Sequence, residues 1–115
     1  MAEEAKGHVL VNDVNVVATE DHVWFFARDI MGLIGRSRET GATVARKYLK
    51  NDQHRKFSVK EARIRNGCFI SDEGILSLSV VLGKSKELIG ILTQGQEAVK
   101  ATKRKRGEID NDTVR

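Results

Sequence analysis

Residues 23–35, with the sequence VWFFARDIMGLIG, decide the fold of this chain. The first four of them are apolar and largely aromatic, which is typical of a strand. Apolar residues then recur at helical spacing and predict a helix from Ala27 to Ile34, with Asp29 in its first turn, where a carboxylate meets the positive end of the helix dipole. Gly35 suits the left-handed position that ends many helices. The stretch therefore predicts a strand that runs directly into a short helix.

The residues before this stretch predict the strands that pair with it. Apolar residues alternate loosely from Val9 to Val17, with an interruption at Asn12-Asp13, which is typical of one or two strands. The polar residues 19–22 predict the turn that leads back into the aromatic strand. These segments together predict antiparallel hairpins.

A second helix is predicted from about Arg38 to Lys50. Its apolar residues form pairs four positions apart, and we expect Val44 and Tyr48 to face the core. The basic residues among them point elsewhere. The helix would therefore present a basic face to solvent.

The pair Asn66-Gly67 is the clearest turn signal in the chain. Both residues tolerate positive φ, and such a pair favours a two-residue hairpin. We therefore expect this turn to join a strand at 61–65 to a strand at 68–70.

The C-terminal part predicts two further helices. Ser71 followed by two acids is typical of a helix start, and the run from Ile75 to Leu82 is apolar on most sides, as in a central buried helix. Gly83 would end this helix, and a last helix would begin near Ser85. From residue 102 onward the chain has almost no apolar content, which predicts disorder.

These elements and a length of 115 residues predict one α+β domain, a small antiparallel sheet with hairpins and three to four helices. The domain would span residues 7–101, and a disordered basic and polar tail would span residues 102–115. A single cysteine excludes an internal disulfide, and no apolar run is long enough for a membrane span. The N-terminus lacks the apolar core of a signal peptide, so we expect a soluble intracellular protein.

No set of residues in the sequence points to catalysis, a metal or a cofactor. The three histidines are scattered, and none lies beside a nucleophile in a recognised arrangement. Cys68 is interpreted as a small buried hydrophobe, because a zinc site would need several thiols or histidines. The segment from Gly35 to Gly41 has the wrong spacing for a phosphate-binding loop, and Ala42 stands where the lysine belongs. We expect a non-enzymatic protein without a cofactor or metal.

Positive charge is concentrated in the middle of the chain. Residues 30–65 hold ten bases and three acids, although the whole chain carries only +4. Convergent Lys and Arg groups recognise a nucleic-acid backbone, so we expect DNA as the partner, with RNA left open. A surface that only solvates the fold or binds a protein is the alternative. The residues expected on phosphates are Arg36, Arg38, Arg46, Lys47 and Lys50, with Lys60, Arg63 and Arg65 as a hairpin arm.

The aromatic residues of the first strand offer a different way to bind bases, by stacking. Consecutive strand residues alternate between faces, and interior strands bury aromatic side chains. Trp24 is therefore predicted to be part of the core rather than a stacking platform.

Two motifs resemble the BRO-N domain, the N-terminal domain of the baculovirus repeated-ORF proteins, which also occurs in phages and other large DNA viruses. They are WFxARDIxxLIG at residues 24–35 and FISDEGILxL at residues 69–78, and Lys84-Ser85-Lys86 resembles the segment that follows in that family. The resemblance covers roughly residues 9–92. It implies a small α+β fold and DNA binding, often in viral regulators of transcription or phage antirepressors. It does not imply a defined set of DNA-contacting residues, so the site rests on charge placement.

The alternative to nucleic-acid binding is a protein-interaction or dimerisation module. Its docking surface would be the apolar last helix, where Leu88, Ile91 and Leu92 would form a homodimer or hold a partner. The two functions differ in their response to salt, because phosphate contacts weaken steeply with ionic strength and apolar docking does not.

The tail carries a basic cluster that is typical of a nuclear-localisation signal, although a solubilising end is the alternative. We expect the host nucleus as the location if the source is a eukaryotic virus. The cluster consists of Lys103, Arg104, Lys105 and Arg106.

Overall fold

The computed structural model describes residues 3–5 and 7–114, with side chains described as far as Thr102. Within those residues the chain forms six strands and four α-helices, which confirms the predicted α+β class. The strands are β1 (Glu3–Glu4), β2 (Gly7–Val11), β3 (Val14–Ala18), β4 (Val23–Phe26), β5 (His54–Val59) and β6 (Ile64–Ser71). The helices are α1 (Ala27–Leu33), α2 (Gly41–Tyr48), α3 (Asp72–Leu82) and α4 (Ser85–Val114), with 3-10 turns at Arg38–Thr40 and Asn51–Gln53.

All six strands belong to one sheet, in the order β1-β5-β6-β4-β3-β2. Every neighbouring pair is antiparallel except β1 and β5, so the sheet is mixed at one edge rather than purely antiparallel as predicted. Asn12 and Asp13 both have positive φ, and a two-residue turn of that kind matches the twist of its strands. The predicted segment around them is therefore a hairpin of two strands.

Alternation along β4 divides its aromatic residues between the two faces of the sheet. Phe25 lies on the face that packs against the helices. It belongs to the helix-side core, which also contains Ile30 of α1 and Leu88 of α4. Trp24 and Phe26 lie on the opposite face, as the strand period of two requires. The prediction that Trp24 is a core residue is confirmed, since 1% of it is exposed.

The opposite face forms a second core, to which no helix contributes a side chain among the residues described. The sheet curls, and its side chains pack on one another, with ring centroids 5.1 Å apart for Phe26 and Phe69 and 5.5 Å apart for Trp24 and Phe57. The second core consists of Val17, Trp24, Phe26, Phe57, Val59 and Phe69.

The predicted turn at Asn66-Gly67 is wrong, because both residues lie inside β6. The chain turns between Val59 and Ile64 instead, and these two residues pair across the hairpin. Asn66 has a φ of 53° at a register shift between the strands, as in a β-bulge. Positive φ at Asn66 therefore serves a bulge rather than a turn.

Position 67 requires glycine, because two side chains approach its backbone closely. A Cβ at this position would lie 2.4 Å from Cγ2 of Ile64 and 2.9 Å from the ring of Phe26. A glycine within a strand often marks such a contact. The residues around Asn66-Gly67 do not show whether the pair forms a turn or allows a close approach.

Three predictions about helix burial are also wrong. Tyr48, the last residue of α2, is exposed, and its ring lies 5.2 Å from the Lys47 ammonium. The prediction failed because the amphipathic spacing of a helix does not show at which residue its contact with the sheet ends. Helix α3 buries only one face and leaves its apolar outer face exposed, because it lies on the sheet rather than between layers. The proposed docking face of α4 is packed in the helix-side core, since the residues that form it are buried: Leu88, Ile91 and Leu92.

The ends of the C-terminal helices agree with the sequence signals. The Ser71 hydroxyl accepts a hydrogen bond from the Gly74 amide at 3.1 Å, and Gly83 ends α3 with a φ of 70°. The backbone of α4 continues to Val114, through the segment where we predict a disordered tail. Extending a formed helix needs no nucleation, so a polar chain can continue it without apolar surface.

Candidate nucleic-acid interface

Asp29 fixes the position of the turn that precedes α2. Its buried carboxylate accepts two hydrogen bonds from Asn15, from the backbone amide and the side-chain amide, each at 2.8 Å. It also forms an ion pair with the Arg38 guanidinium at 2.7 Å. Asp29 lies in the first turn of α1 as predicted, and it additionally joins β3 to the turn before α2.

Arg38 is therefore both a structural and a surface residue. One side of its guanidinium is committed to Asp29, yet about half of the side chain is exposed. A guanidinium has five N–H donors, so donors remain for a second anion. Arg36 is exposed two residues earlier, after the end of α1.

The bases along α2 and just after it point away from the core, as predicted. Arg46, Lys47 and Lys50 are all exposed, while Val44 and Ala45 on the other side of the helix are buried. Gly41 begins the helix against the backbone of α1, where a Cβ would lie 2.8 Å from it. This close approach sets the direction of α2 and with it the direction of its basic face.

Cys68 lies where the basic face of α2 meets the sheet. Burial raises the pKa of its thiol, and the positive charges of Arg46 and Lys56 oppose that rise. Lys56 pairs with Cys68 across β5 and β6, and Cys68 packs against the helix-side core. Lys56 is thus the cross-strand neighbour of Cys68, and the charge of Arg46, from a different part of the chain, also acts on this thiol.

The predicted hairpin arm exists, although its strands differ from those predicted. Alternation in a strand would have divided Lys60, Arg63 and Arg65 between two faces. Because the turn lies at 60–63, the first two are freed from that constraint, and all three line one cleft of about 590 Å³. This hairpin cleft consists of Glu4, Ser58, Val59, Lys60, Arg63, Ile64 and Arg65.

Ion pairing differs among the eight predicted bases. Arg38 pairs with Asp29, and Lys60 lies 3.8 Å from a carboxylate oxygen of Glu4. Among the side chains that the structure describes, the other six have no acid within 4.0 Å: Arg36, Arg46, Lys47, Lys50, Arg63 and Arg65. An external anion would be their first close counter-charge.

Two further bases near these residues were not predicted as part of the site. Lys56 joins the surface through its pairing with Cys68, a signal that only the register of β5 supplies. Arg55 points to the other face, where its guanidinium lies 5.0 Å from the Trp24 ring and 3.8 Å from Glu3. Lys56 therefore belongs to the candidate interface, and Arg55 to the second core.

Metal and membrane sites find no support in the described part of the chain. No group of three or more potential metal ligands occurs among the residues described. In the same part of the chain, no helix has the length and apolar character needed to cross a membrane. The basic cluster at residues 103–106 lies outside the described side chains, and its role stays a prediction.

Comparisons with protein-family models, with curated proteins and with solved structures found no match for this chain. The resemblance to the BRO-N domain therefore stays a prediction. The geometry of the basic surface is what bears on function.

Proposed function

We propose that this chain is a non-enzymatic nucleic-acid-binding module with duplex DNA as its partner. The basic surface would consist of α2, the turn before it and the β5–β6 hairpin. Phosphate oxygens would bind between these elements, and the affinity would come mainly from release of counterions. A role in regulating transcription, as implied by the BRO-N resemblance, belongs to this proposal.

One observation carries the proposal: six of the eight predicted bases are exposed and have no acid within 4.0 Å among the side chains that the structure describes. Like charges on one surface repel one another, and the described side chains offer these six bases no close counter-charge. Phosphates bound beside them would relieve that repulsion and accept charge-assisted hydrogen bonds. A merely solvated surface has no need for such an arrangement.

A retardation assay across a salt series tests this directly, with duplex DNA and single-stranded RNA as parallel probes. The double variant Arg46→Ala/Lys56→Ala should weaken binding and reduce the salt slope by about two, at roughly 0.9 for each phosphate that is no longer neutralised. Both side chains are exposed, so folding should be preserved.

The matched control is Lys86→Ala/Lys100→Ala, which removes the same charge from exposed positions on α4. It should leave the salt slope unchanged. Equal weakening in the two double variants would mean that only net charge matters and would remove this surface from the interface. Tighter binding of RNA than of DNA would mean that RNA is the partner, and the proposed binding surface would stand.

The α2 face alone is tested by replacing Arg46, Lys47 and Lys50 together with Ala. The salt slope should then fall by about one for each of these bases that neutralises a phosphate in the wild-type complex. Unchanged affinity in this triple variant would remove α2 from the interface and leave the hairpin arm.

We further propose that residues 103–106 direct the chain to a host nucleus. A fusion to a carrier too large for passive pore transit should accumulate there, and the same fusion with four alanines should not. Equal accumulation of both fusions would contradict the address function.

A further inference from the structure

The outer face of α3 carries an apolar patch. Leu76, Val80 and Val81 are 48%, 83% and 50% exposed, and Ile89 on the adjoining helix α4 is 45% exposed. Single exposed apolar residues are ordinary, but several on one helical face mark a contact surface. The sequence-based alternative placed a dimer surface on α4, and the structure instead leaves the apolar surface on α3.

The patch has a regular position on the helix. Ile75 and Leu78 face the sheet, and helical periodicity puts Leu76, Ser77 and Val80 on the side away from it. Ser77 lies within this face, and its hydroxyl accepts a hydrogen bond from the Gln53 side chain at 3.4 Å. The exposed stripe spans residues 76–81, in the C-terminal half of α3.

Opposite charges stand at the two ends of this stripe. Glu73 lies in the first turn of α3, and Lys84 lies two residues beyond its last residue. Both are exposed, and neither forms an ion pair within the part of the chain that the structure describes. Eleven residues separate them, or about 16 Å at a rise of about 1.5 Å per residue, so they cannot pair within one molecule.

We infer that the outer face of α3 binds a second copy of this chain, in an antiparallel arrangement about a two-fold axis. Charge complementarity identifies the occupant, because Glu73 lies three residues before Leu76 and Lys84 lies three residues after Val81, at equal distances along the chain from the middle of the stripe. A two-fold axis there places Glu73 of each copy beside Lys84 of the other. The same axis places Leu76 opposite Val81 and Ser77 opposite Val80, so the apolar stripe covers itself.

This dimer is expected to be weak. Two turns of helix bury less than the roughly 800 Å² per partner of a standard interface. The surface is also separate from the predicted DNA-binding residues, none of which lies on α3 or α4. The inference therefore stands independently of the proposed function.

Charge exchange tests the inference most sharply. Glu73→Lys and Lys84→Glu each place like charges at both ends of the pair, and each variant should dimerise about tenfold more weakly than the wild-type chain. An equimolar mixture of the two variants restores both ion pairs in a mixed dimer. Sedimentation equilibrium should therefore show more dimer in the mixture than in either variant alone.

The apolar stripe is tested by Val80→Glu, with Leu10→Glu as the matched control. Leu10 is 62% exposed on β2, so both variants add one acid at an exposed apolar position. Val80→Glu should weaken dimerisation by at least about tenfold, because it buries a charge at the centre of the contact, whereas Leu10→Glu should not. Circular dichroism confirms that each variant is folded.

Three results would overturn the inference. One is a wild-type chain that stays monomeric up to about 1 mM, a concentration at which even weak interfaces associate. Another is a mixture of the charge variants that dimerises no better than its components. A third is equal dimerisation of Val80→Glu and Leu10→Glu, which would place the contact elsewhere.

Discussion

The two faces of the sheet reach burial in different ways. On one face, four helices cover the strands, and the core draws side chains from every helix, such as Met31, Val44, Ile75 and Leu92. On the other face no helix of the described chain packs, and the aromatic and valine side chains of the second core bury one another as the sheet curls. The comparison shows that strand alternation can produce two cores when only one covering layer exists.

The second core is completed by parts with little apolar surface of their own. Ala5 after β1, Ala62 in the hairpin turn and Ile64 of β6 pack at its margin. The Arg55 guanidinium lies over the Trp24 and Phe57 rings at 5.0 and 6.0 Å from their centroids. A long charged side chain can cover aromatic surface in this way while its head stays hydrated.

The largest expected effect tests whether the second core is a core in the energetic sense. Trp24→Ala and Phe25→Ala should each lower the free energy of unfolding by about 3–5 kcal/mol, because each deletes a fully packed aromatic side chain. Urea denaturation measures both. If Trp24→Ala lowered the free energy of unfolding by less than about 1 kcal/mol while Phe25→Ala had the expected effect, the second core would not be a core in the energetic sense.

The polar link on the helix side should have the next largest effect. Asp29→Asn removes a charge that accepts two hydrogen bonds and forms an ion pair with Arg38, and we expect the free energy of unfolding to fall by about 2–3 kcal/mol, as for hydrogen bonds to buried charged groups. The exposed neighbour Glu39→Gln is the control and should change stability by less than about 0.5 kcal/mol. Similar small changes in both variants would contradict the structural role of Asp29.

Two glycines of α4 form a matched pair that probes packing on the helix side. A Cβ at Gly95 would lie 2.5 Å from the Phe25 ring, whereas nothing lies within 4 Å of one at Gly90. Gly95→Ala should destabilise by about 1–3 kcal/mol through overpacking, and Gly90→Ala should stabilise by about 1 kcal/mol through helix propensity. Thermal unfolding gives the sign of each change, and equal signs would mean that α4 does not pack closely on Phe25.

The smallest expected effect concerns the cover of the second core. Arg55→Ala should cost about 0.5–1 kcal/mol, the range of a cation–π contact at an exposed site. Lys56→Ala at the next position faces the other side and should be nearly neutral. Tryptophan fluorescence should report the difference, because removal of the Arg55 side chain lets water reach Trp24 and shifts its emission to the red, while removal of the Lys56 side chain does not.

Local sequence signals were sufficient for much of the fold. The passage from β4 into α1 and the Ser71 cap were both predicted, and the interruption at Asn12-Asp13, which left one or two strands open, is the turn between β2 and β3. Each depends on residues within a few positions of one another, whose conformational preferences act before any tertiary contact forms. The exposure of Arg46 and Lys47 on α2 followed equally from helical periodicity.

The sequence by itself therefore determined the α+β class, the positions of β4, α1 and α3, the start of α4 and the basic character of residues 30–65. Only the tertiary structure decided that Asn66-Gly67 is a bulge, that α3 keeps an apolar outer face and that Lys56 pairs with Cys68 beside the helix-side core. The physical reason is the range of the interactions. Turn and helix preferences are encoded locally, whereas strand register, close approach and the extent of a covering layer depend on residues far apart in the chain.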